Sequence, residues 1–217
     1  MLKNAHNCVQ NCAQYEQFSE FVWCGPQAEI LQWLGYPSEV HRTTTEDGYV
    51  LQLDRIPRHG RPAVFLANQM AGSASAYLVL GKGRALGCVL YDAGFDVWLG
   101  NFRGTQFSLG HRTLSAKQDK FWDFGWHENG ALDNPAMMEY VLRHTGQPQL
   151  VFVGHSMGGT TLLVTADARP ALLPRVRAAF LLAPAAFMGR TRERSLLALH
   201  RVANATQVSA ARSNDQH

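Results

Sequence analysis

One pentapeptide in its setting restricts this chain more than any other feature. Gly154-His155-Ser156-Met157-Gly158 follows the apolar run Leu150-Val151-Phe152-Val153 and precedes a helical pattern over 160–168 that ends before Pro170. The pattern G-x-S-x-G carries chemical meaning when a strand enters it and a helix leaves it, because the serine then sits on a sharp strained turn. Such a turn forces the residues two before and two after the serine into each other's space. Gly154 and Gly158 meet that demand, and Gly159 relaxes it further. The turn lifts the hydroxyl of Ser156 above the carboxyl edge of a sheet. The helix start offers backbone N–H groups to a developing oxyanion, and the amide of Met157 is one such donor.

The rest of the chain supplies a sheet for that turn to stand on. Ala63–Ala67, 150–153 and 178–182 are short apolar runs, and Asp96–Gly100 reads as a further buried strand. Such runs suit strands covered on both faces of a parallel sheet. Helical spacing separates them: part of 78–92, ended by Gly94, and 131–144, with Met137, Met138, Val141 and Leu142 on one side and Gly146 as the stop. Earlier, 28–34 reads as a short helix closed by Gly35-Tyr36-Pro37. Residues 40–45 and 49–53 flank the turn signal Glu46-Asp47-Gly48 and read as a β-hairpin. The expectation is an α/β fold with a mostly parallel sheet and an antiparallel hairpin at one edge.

At 217 residues, 46% hydrophobic and 17% charged, the chain fits one globular domain. The net charge of +3 is spread out, with local density only at Arg190, Arg192 and Arg194, which excludes a nucleic-acid stripe. No run approaches the ~18 apolar residues of a membrane span. Cys8, Cys12, Cys24 and Cys88 lack the paired spacing of a zinc site; Cys88 reads as a buried thiol, and spacing assigns no disulfide. Asn204-Ala205-Thr206 is a glycosylation sequon. No apolar signal run follows Met1, so the chain is either intracellular or begins after its true start.

A serine nucleophile needs a base, and in this architecture the order is Ser, acid, His. Downstream of Ser156 stand only Asp167, Glu193, His200, Asp215 and His217. Asp167 lies on the helix directly after the turn. Asp215 and His217 are two residues apart in a polar tail, whereas acid and base should hang from separate later strands. The usual partners of Ser156 are therefore expected to be missing. His155 reads as a packing residue. Phe121, Trp122, Phe124 and Trp126 read as core in preference to an acyl-binding wall. His41, His59, His111, His127 and His144 are scattered, without metal spacing, and Asp123, Glu128 and Asp133 read as helix-start or surface carboxylates.

Several longer segments resemble the acid lipases, the family that includes gastric lipase and lysosomal acid lipase. They are Leu34-Gly35-Tyr36-Pro37, Thr45-Glu46-Asp47-Gly48-Tyr49-Val50-Leu51 and Asp54-Arg55-Ile56-Pro57. Further on come the run from Asp92 to Asn101 through Asp96-Val97-Trp98-Leu99-Gly100, Arg103-Gly104, Phe121-Trp122-Asp123-Phe124, Thr145-Gly146 and Val153-Gly154-His155-Ser156. The likeness covers about 28–184. It implies an α/β-hydrolase core with an inserted cap, hydrolysis of triacylglycerols or steryl esters, no metal or cofactor, and a secretory or lysosomal setting. The family usually has His-Gly followed by a leucine after the third strand, and that leucine's amide completes the oxyanion hole. Here the matching positions are Asn68, Gln69 and Met70, which makes Met70 the second donor and puts glutamine where a conformationally free glycine is usual.

The family chain also continues well past the end of this one, so most of the cap and the strands bearing acid and histidine have no counterpart. The expected organisation is a poorly ordered leader over 1–27, a partial α/β-hydrolase core over 28–188, and the start of a cap or a disordered tail over 189–217. The expected function is a serine-dependent lipid ester hydrolase, here a fragment with weak or no activity. The rivals are a catalytically dead lipid-binding pseudoenzyme and a remnant that does not fold. A lipid ester is the expected partner, with neither nucleic acid nor a membrane span.

Overall fold

Residues 25–70 and 72–186 are described by the computed structural model. All that follows concerns the unit Met1–Pro184. The expected leader up to residue 24, the tail 189–217, and with them Cys8, Cys12, Cys24, Arg190, Arg192, Arg194, Glu193, His200, the sequon, Asp215 and His217, lie outside the described residues.

The hairpin forms as read. β1 (Glu39–Thr44) and β2 (Tyr49–Ile56) pair antiparallel around Gly48, which takes a φ of 103°. β2 also pairs antiparallel with β4 (Asp96–Gly100), and β3 (Ala63–Ala67) lies parallel to β4. A short β5 (Gly110–His111) adds to β2. β6 (Leu150–His155) and β7 (Val176–Leu182) extend the parallel part, giving the order β1-β2-β4-β3-β6-β7. β3 and β4 are central and buried throughout; β3 is accordingly apolar at every position, and the charged residue at the start of β4, Asp96, is buried in a pair with Arg55. Their alternate side chains enter two cores. Val64, Leu66, Val97 and Leu99 face Ile30, Leu78 and Cys88, while Phe65 and Trp98 face Met137, Met138 and Val141.

Helices cover both faces. α1 spans Gln27–Trp33, so Gln27 already belongs to the fold. α2 is Leu86–Asp92, shorter than the sequence pattern, because Gly81 and Gly83 both take a φ of 73° and end regular structure before it. A short α3 (Trp126–Glu128) runs through a π-helical turn, Asn129–Asp133, into α4 (Asn134–Thr145), which Gly146 closes in the left-handed conformation. α5 is Met157–Ala168. The π turn sits where Gly130 meets α5; a β-carbon there would lie 2.4 Å from Val164, and Thr165 Oγ1 donates to the Gly130 carbonyl.

β7 is different from the other parallel strands. Its free edge pairs with no described strand, and Phe180 and Leu182 are exposed. Beside it a groove of about 690 Å³ runs between α2 and the sheet, lined by Leu86, Leu90, Phe95, Val151, Phe180 and Leu182.

Candidate active site

β6 delivers the chain to the carboxyl edge of the sheet, and the bend occurs at Ser156, with φ 52° and ψ −118°. Positive φ in a residue with a β-carbon costs of order 1–3 kcal/mol and persists only where surrounding structure enforces it. That structure is visible. Ser156 N–H donates to the Leu182 carbonyl at 2.8 Å, tying the bend to the end of β7. The Ser156 carbonyl accepts from the N–H of Gly159 and of Thr160, which starts α5 directly behind it. A β-carbon on Gly154 would stand 2.4 Å from the Gly158 carbonyl oxygen, so space requires glycine at 154. Ser156 itself is half-buried. The first N–H groups of a helix have no intrahelical acceptor, and that of Met157 is among them.

The third strand brings a second loop to the same place. A β-carbon on Gly158 would lie 2.3 Å from the Ala67 carbonyl oxygen and 2.8 Å from that of Asn68. Ala67 and Asn68, where the chain leaves β3, therefore pass immediately beside the start of α5. Tyr77 donates its hydroxyl to the Ala67 carbonyl at 2.7 Å, and burial pushes that phenol's pKa well above its ordinary value. Met70, on this loop, has an exposed side chain. Gln69 does not take a positive φ, so the expected need for glycine freedom at this position is not met with; its side chain lies against Gly72, where a β-carbon would be 2.6 Å from Gln69 Nε2.

Other expectations are revised by tertiary contacts. His155 is exposed, not packed, because β6 ends at the sheet edge. Of the aromatic group, Phe121 is core against Tyr49, Phe124 is half-buried, and Trp122 and Trp126 are exposed. Asp167 is exposed on α5, eleven residues beyond Ser156 in the chain. Glu128 accepts from the Gly125 N–H and is the helix-start carboxylate expected, and Asp123 is exposed. Asp133, by contrast, is fully buried: Arg103 Nε donates to its Oδ1 at 2.8 Å, and the Arg103 backbone N–H to its Oδ2 at 3.0 Å. Cys88 is a buried free thiol with its pKa pushed up to about 11 by burial.

The histidines are not all scattered. His41 and His144, 103 residues apart, stand with ring centroids 4.7 Å from each other, and with Glu39 they gather three potential ligand atoms within 4.8 Å. Arg55 Nη1 donates to Glu39 Oε2 at 2.8 Å and lies 3.3 Å from His144 Nε2. A guanidinium nitrogen thus already takes the place a cation would need, anchored by paired bonds to Asp96 and stacked on Trp98. Burial, with His41 and Arg55 nearby, lowers the His144 pKa. Burial works against ionisation of Glu39, yet the bonds from His41 and Arg55 hold its carboxyl below the usual range. The group is an electrostatic joint between β1, β2 and α4.

A mixed sheet with a parallel run β4-β3-β6-β7, flanked by helices and carrying a serine of positive φ at a strand–helix junction, defines the class as α/β-hydrolase-like. The chain belongs to the alpha/beta hydrolase fold family, whose model matches residues 59–212; a model described as a partial alpha/beta-hydrolase lipase region matches 27–80. Its relatives include several lipases. It is 44% identical over 159 residues to Lipase 1 of Drosophila melanogaster, covering 73% of this chain and 36% of that one. It is 42% identical over 168 residues to human lysosomal acid lipase/cholesteryl ester hydrolase, covering 73% and 42%. With bovine gastric triacylglycerol lipase the identity is 38% over 174 residues, covering 76% and 44%. The chain thus spans about two fifths of the curated relatives it matches. Among solved structures, an esterase of Pyrococcus furiosus superposes with a TM-score of 0.57 at 17% identity, covering 79% of this chain and 61% of that one. An α/β serine hydrolase without lid from Xanthomonas campestris gives 0.50 at 21%, covering 71% and 63%. These two similarities establish the fold.

Proposed function

We propose that this chain carries the nucleophilic part of a lipid ester hydrolase acting on triacylglycerols or steryl esters in a secretory or lysosomal compartment, with Ser156 as nucleophile. The observation that carries the reading is the strained bend: Ser156 holds φ 52° between β6 and α5, on a chain 42% identical to a lysosomal acid lipase/cholesteryl ester hydrolase. In the proposed step Ser156 Oγ attacks the ester carbonyl carbon while its proton passes to a base. The carbonyl oxygen becomes an oxyanion held by the N–H groups of Met157 and Met70. The bond to the alcohol then breaks, the alcohol taking up a proton, and water releases the fatty acid from the acyl-serine. Gly154 and Gly158 keep the bend tight, and His155 shapes it without acting as base.

Among the described residues no histidine hydrogen-bonds to Ser156. Removing a triad member leaves a residual ~10³–10⁴-fold catalysis over water from binding and the oxyanion hole, so weak turnover is the expected level. The test is a fluorophosphonate probe on the purified chain, with Ser156→Ala as control, beside turnover of a short-chain ester. Labelling confined to Ser156 with measurable turnover supports the proposal. A cooperatively melting but unlabelled protein would mark a lipid-binding pseudoenzyme, and absence of cooperative melting a remnant; either result rejects the enzyme reading.

A further inference from the structure

Asn68 follows the last residue of β3 and is 1% exposed. Its carboxamide is fully used. Nδ2 donates to the carbonyls of Gln69 and Gly72, each at 2.9 Å, and Oδ1 accepts from the Phe102 N–H at 3.0 Å. One side chain thus ties the end of β4 to both ends of the loop that runs beside α5. The chain has no cis peptide among the described residues. In a planar trans peptide the C=O of one residue and the N–H of the next point in opposite directions. Capturing the Gln69 carbonyl therefore turns the Met70 N–H away from Asn68.

The geometry points to Asn68 as the positioning residue of the oxyanion loop: its carboxamide holds the 69–70 peptide so that the Met70 N–H is free to donate. This rests on the reading of Ser156 as nucleophile. Three observations place the burden on Asn68. Gln69 has no positive φ, so the loop is not set by a special backbone conformation there. The Gln69 side chain is of no help, since its Oε1 is buried without a partner. The loop cannot shift toward α5, because the Ala67 and Asn68 carbonyls already lie within 2.8 Å of where a Gly158 β-carbon would be.

The arrangement needs two donors and one acceptor in one plane, which asparagine alone supplies at this size. Aspartate keeps the shape and the acceptor for Phe102, but presents charge to two carbonyl oxygens. The expected response is that the 69–70 peptide turns over and its N–H bonds to the new carboxylate, removing the Met70 donor. Histidine offers one donor and one acceptor and should keep part of the arrangement.

The experiment compares unaltered chain, Asn68→Asp and Asn68→His by rate of fluorophosphonate labelling at Ser156, by kcat and KM on a short-chain ester, and by crystal structure. Losing one oxyanion donor costs ~10²–10³-fold in rate. The expected result is a labelling rate and kcat lower by about 10²-fold in Asn68→Asp with KM little changed, a turned 69–70 peptide, and partial recovery in Asn68→His. Should Asn68→Asp fail to melt cooperatively, Asn68→Ala decides on the same readouts, since it frees the same two carbonyls without adding charge. A folded variant that labels as fast as the unaltered chain, or that keeps the 69–70 peptide in place, overturns this inference alone. No labelling of the unaltered chain overturns the nucleophile reading and this inference with it.

Discussion

Gly158 and Ala67 meet backbone to backbone: a β-carbon on the glycine would lie 2.3 Å from the alanine's carbonyl oxygen. The start of α5 is thereby set against the end of β3, and no side chain mediates. Gly158→Ala should force the two apart and destabilise by ~1–3 kcal/mol, the usual cost of overpacking. Urea unfolding measures it. A midpoint unchanged from the parent would show that the loop yields freely and that the approach is not a constraint.

Arg103 joins three elements. Its guanidinium binds Asp133 before α4 and Asp47 in the hairpin turn, and lies 4.0 Å over the Tyr49 ring. Arg103→Met would leave Asp133 buried and charged without its partner, and such breaks cost ~3–5 kcal/mol. Adding Asp133→Leu to the same chain should recover much of that loss, because the uncompensated charge goes with it. Thermal melts of the two variants decide; an equal loss in both would mean that packing, and not charge, is what Arg103 contributes.

Asp54 governs one pH dependence. Burial raises its pKa from 3.8 to about 6, against the opposing bonds from Gln52 and Asn101. The folded state therefore holds this proton more tightly than the unfolded chain. Its contribution is fully present below about pH 4 and is lost as pH rises to about 6; two units correspond to ~3 kcal/mol. Asp54→Asn, which cannot ionise, should lack this loss. Stability measured between pH 4 and pH 7 should fall more in the parent than in the variant; parallel curves would remove Asp54 as the cause.

The β7 edge is expected to associate. Phe180 and Leu182 are exposed on a strand whose outer edge pairs with no described residue, and such edges recruit other chains. Phe180→Lys should lower the concentration-dependent light scattering of the purified chain. Scattering equal to that of the parent would place the association elsewhere.

His144 pulls the other way in acid. Its lowered pKa means that the folded state favours the neutral ring. Stability from this group is present above the unfolded value near 6.5 and is lost as pH falls through it. His144→Gln should weaken that acid-side loss, read as a smaller drop in melting temperature between pH 7 and pH 5. An identical drop would show that the joint around Arg55 absorbs the charge.

Much of the fold was legible because local pattern and final environment agree. The segments Ala63–Ala67 and Asp96–Gly100 became central strands, Glu46-Asp47-Gly48 became the hairpin turn, and G-x-S-x-G became the bend. Helix ends were less legible where glycines cut a periodic segment, as before α2, or where a turn widened to let Gly130 meet α5. The misread residues share a cause. Asp133 carries no local sign of burial, since its partner Arg103 is thirty positions away, and His41 and His144 meet only because β1 packs under α4.

Sequence alone determined the bend and the family: a serine between glycines, a strand before it, a helix after it, and a likeness carried by runs such as Asp96-Val97-Trp98-Leu99-Gly100. Those are local facts, because steric space at a tight bend depends on residues two positions away. Tertiary structure decided what stands around the bend. The Asn68 bridge to Phe102, the burial of Asp133 and the guanidinium between Glu39 and His144 depend on strands and helices distant in sequence being brought within 3.5 Å, and no periodicity records which distant side chains will meet.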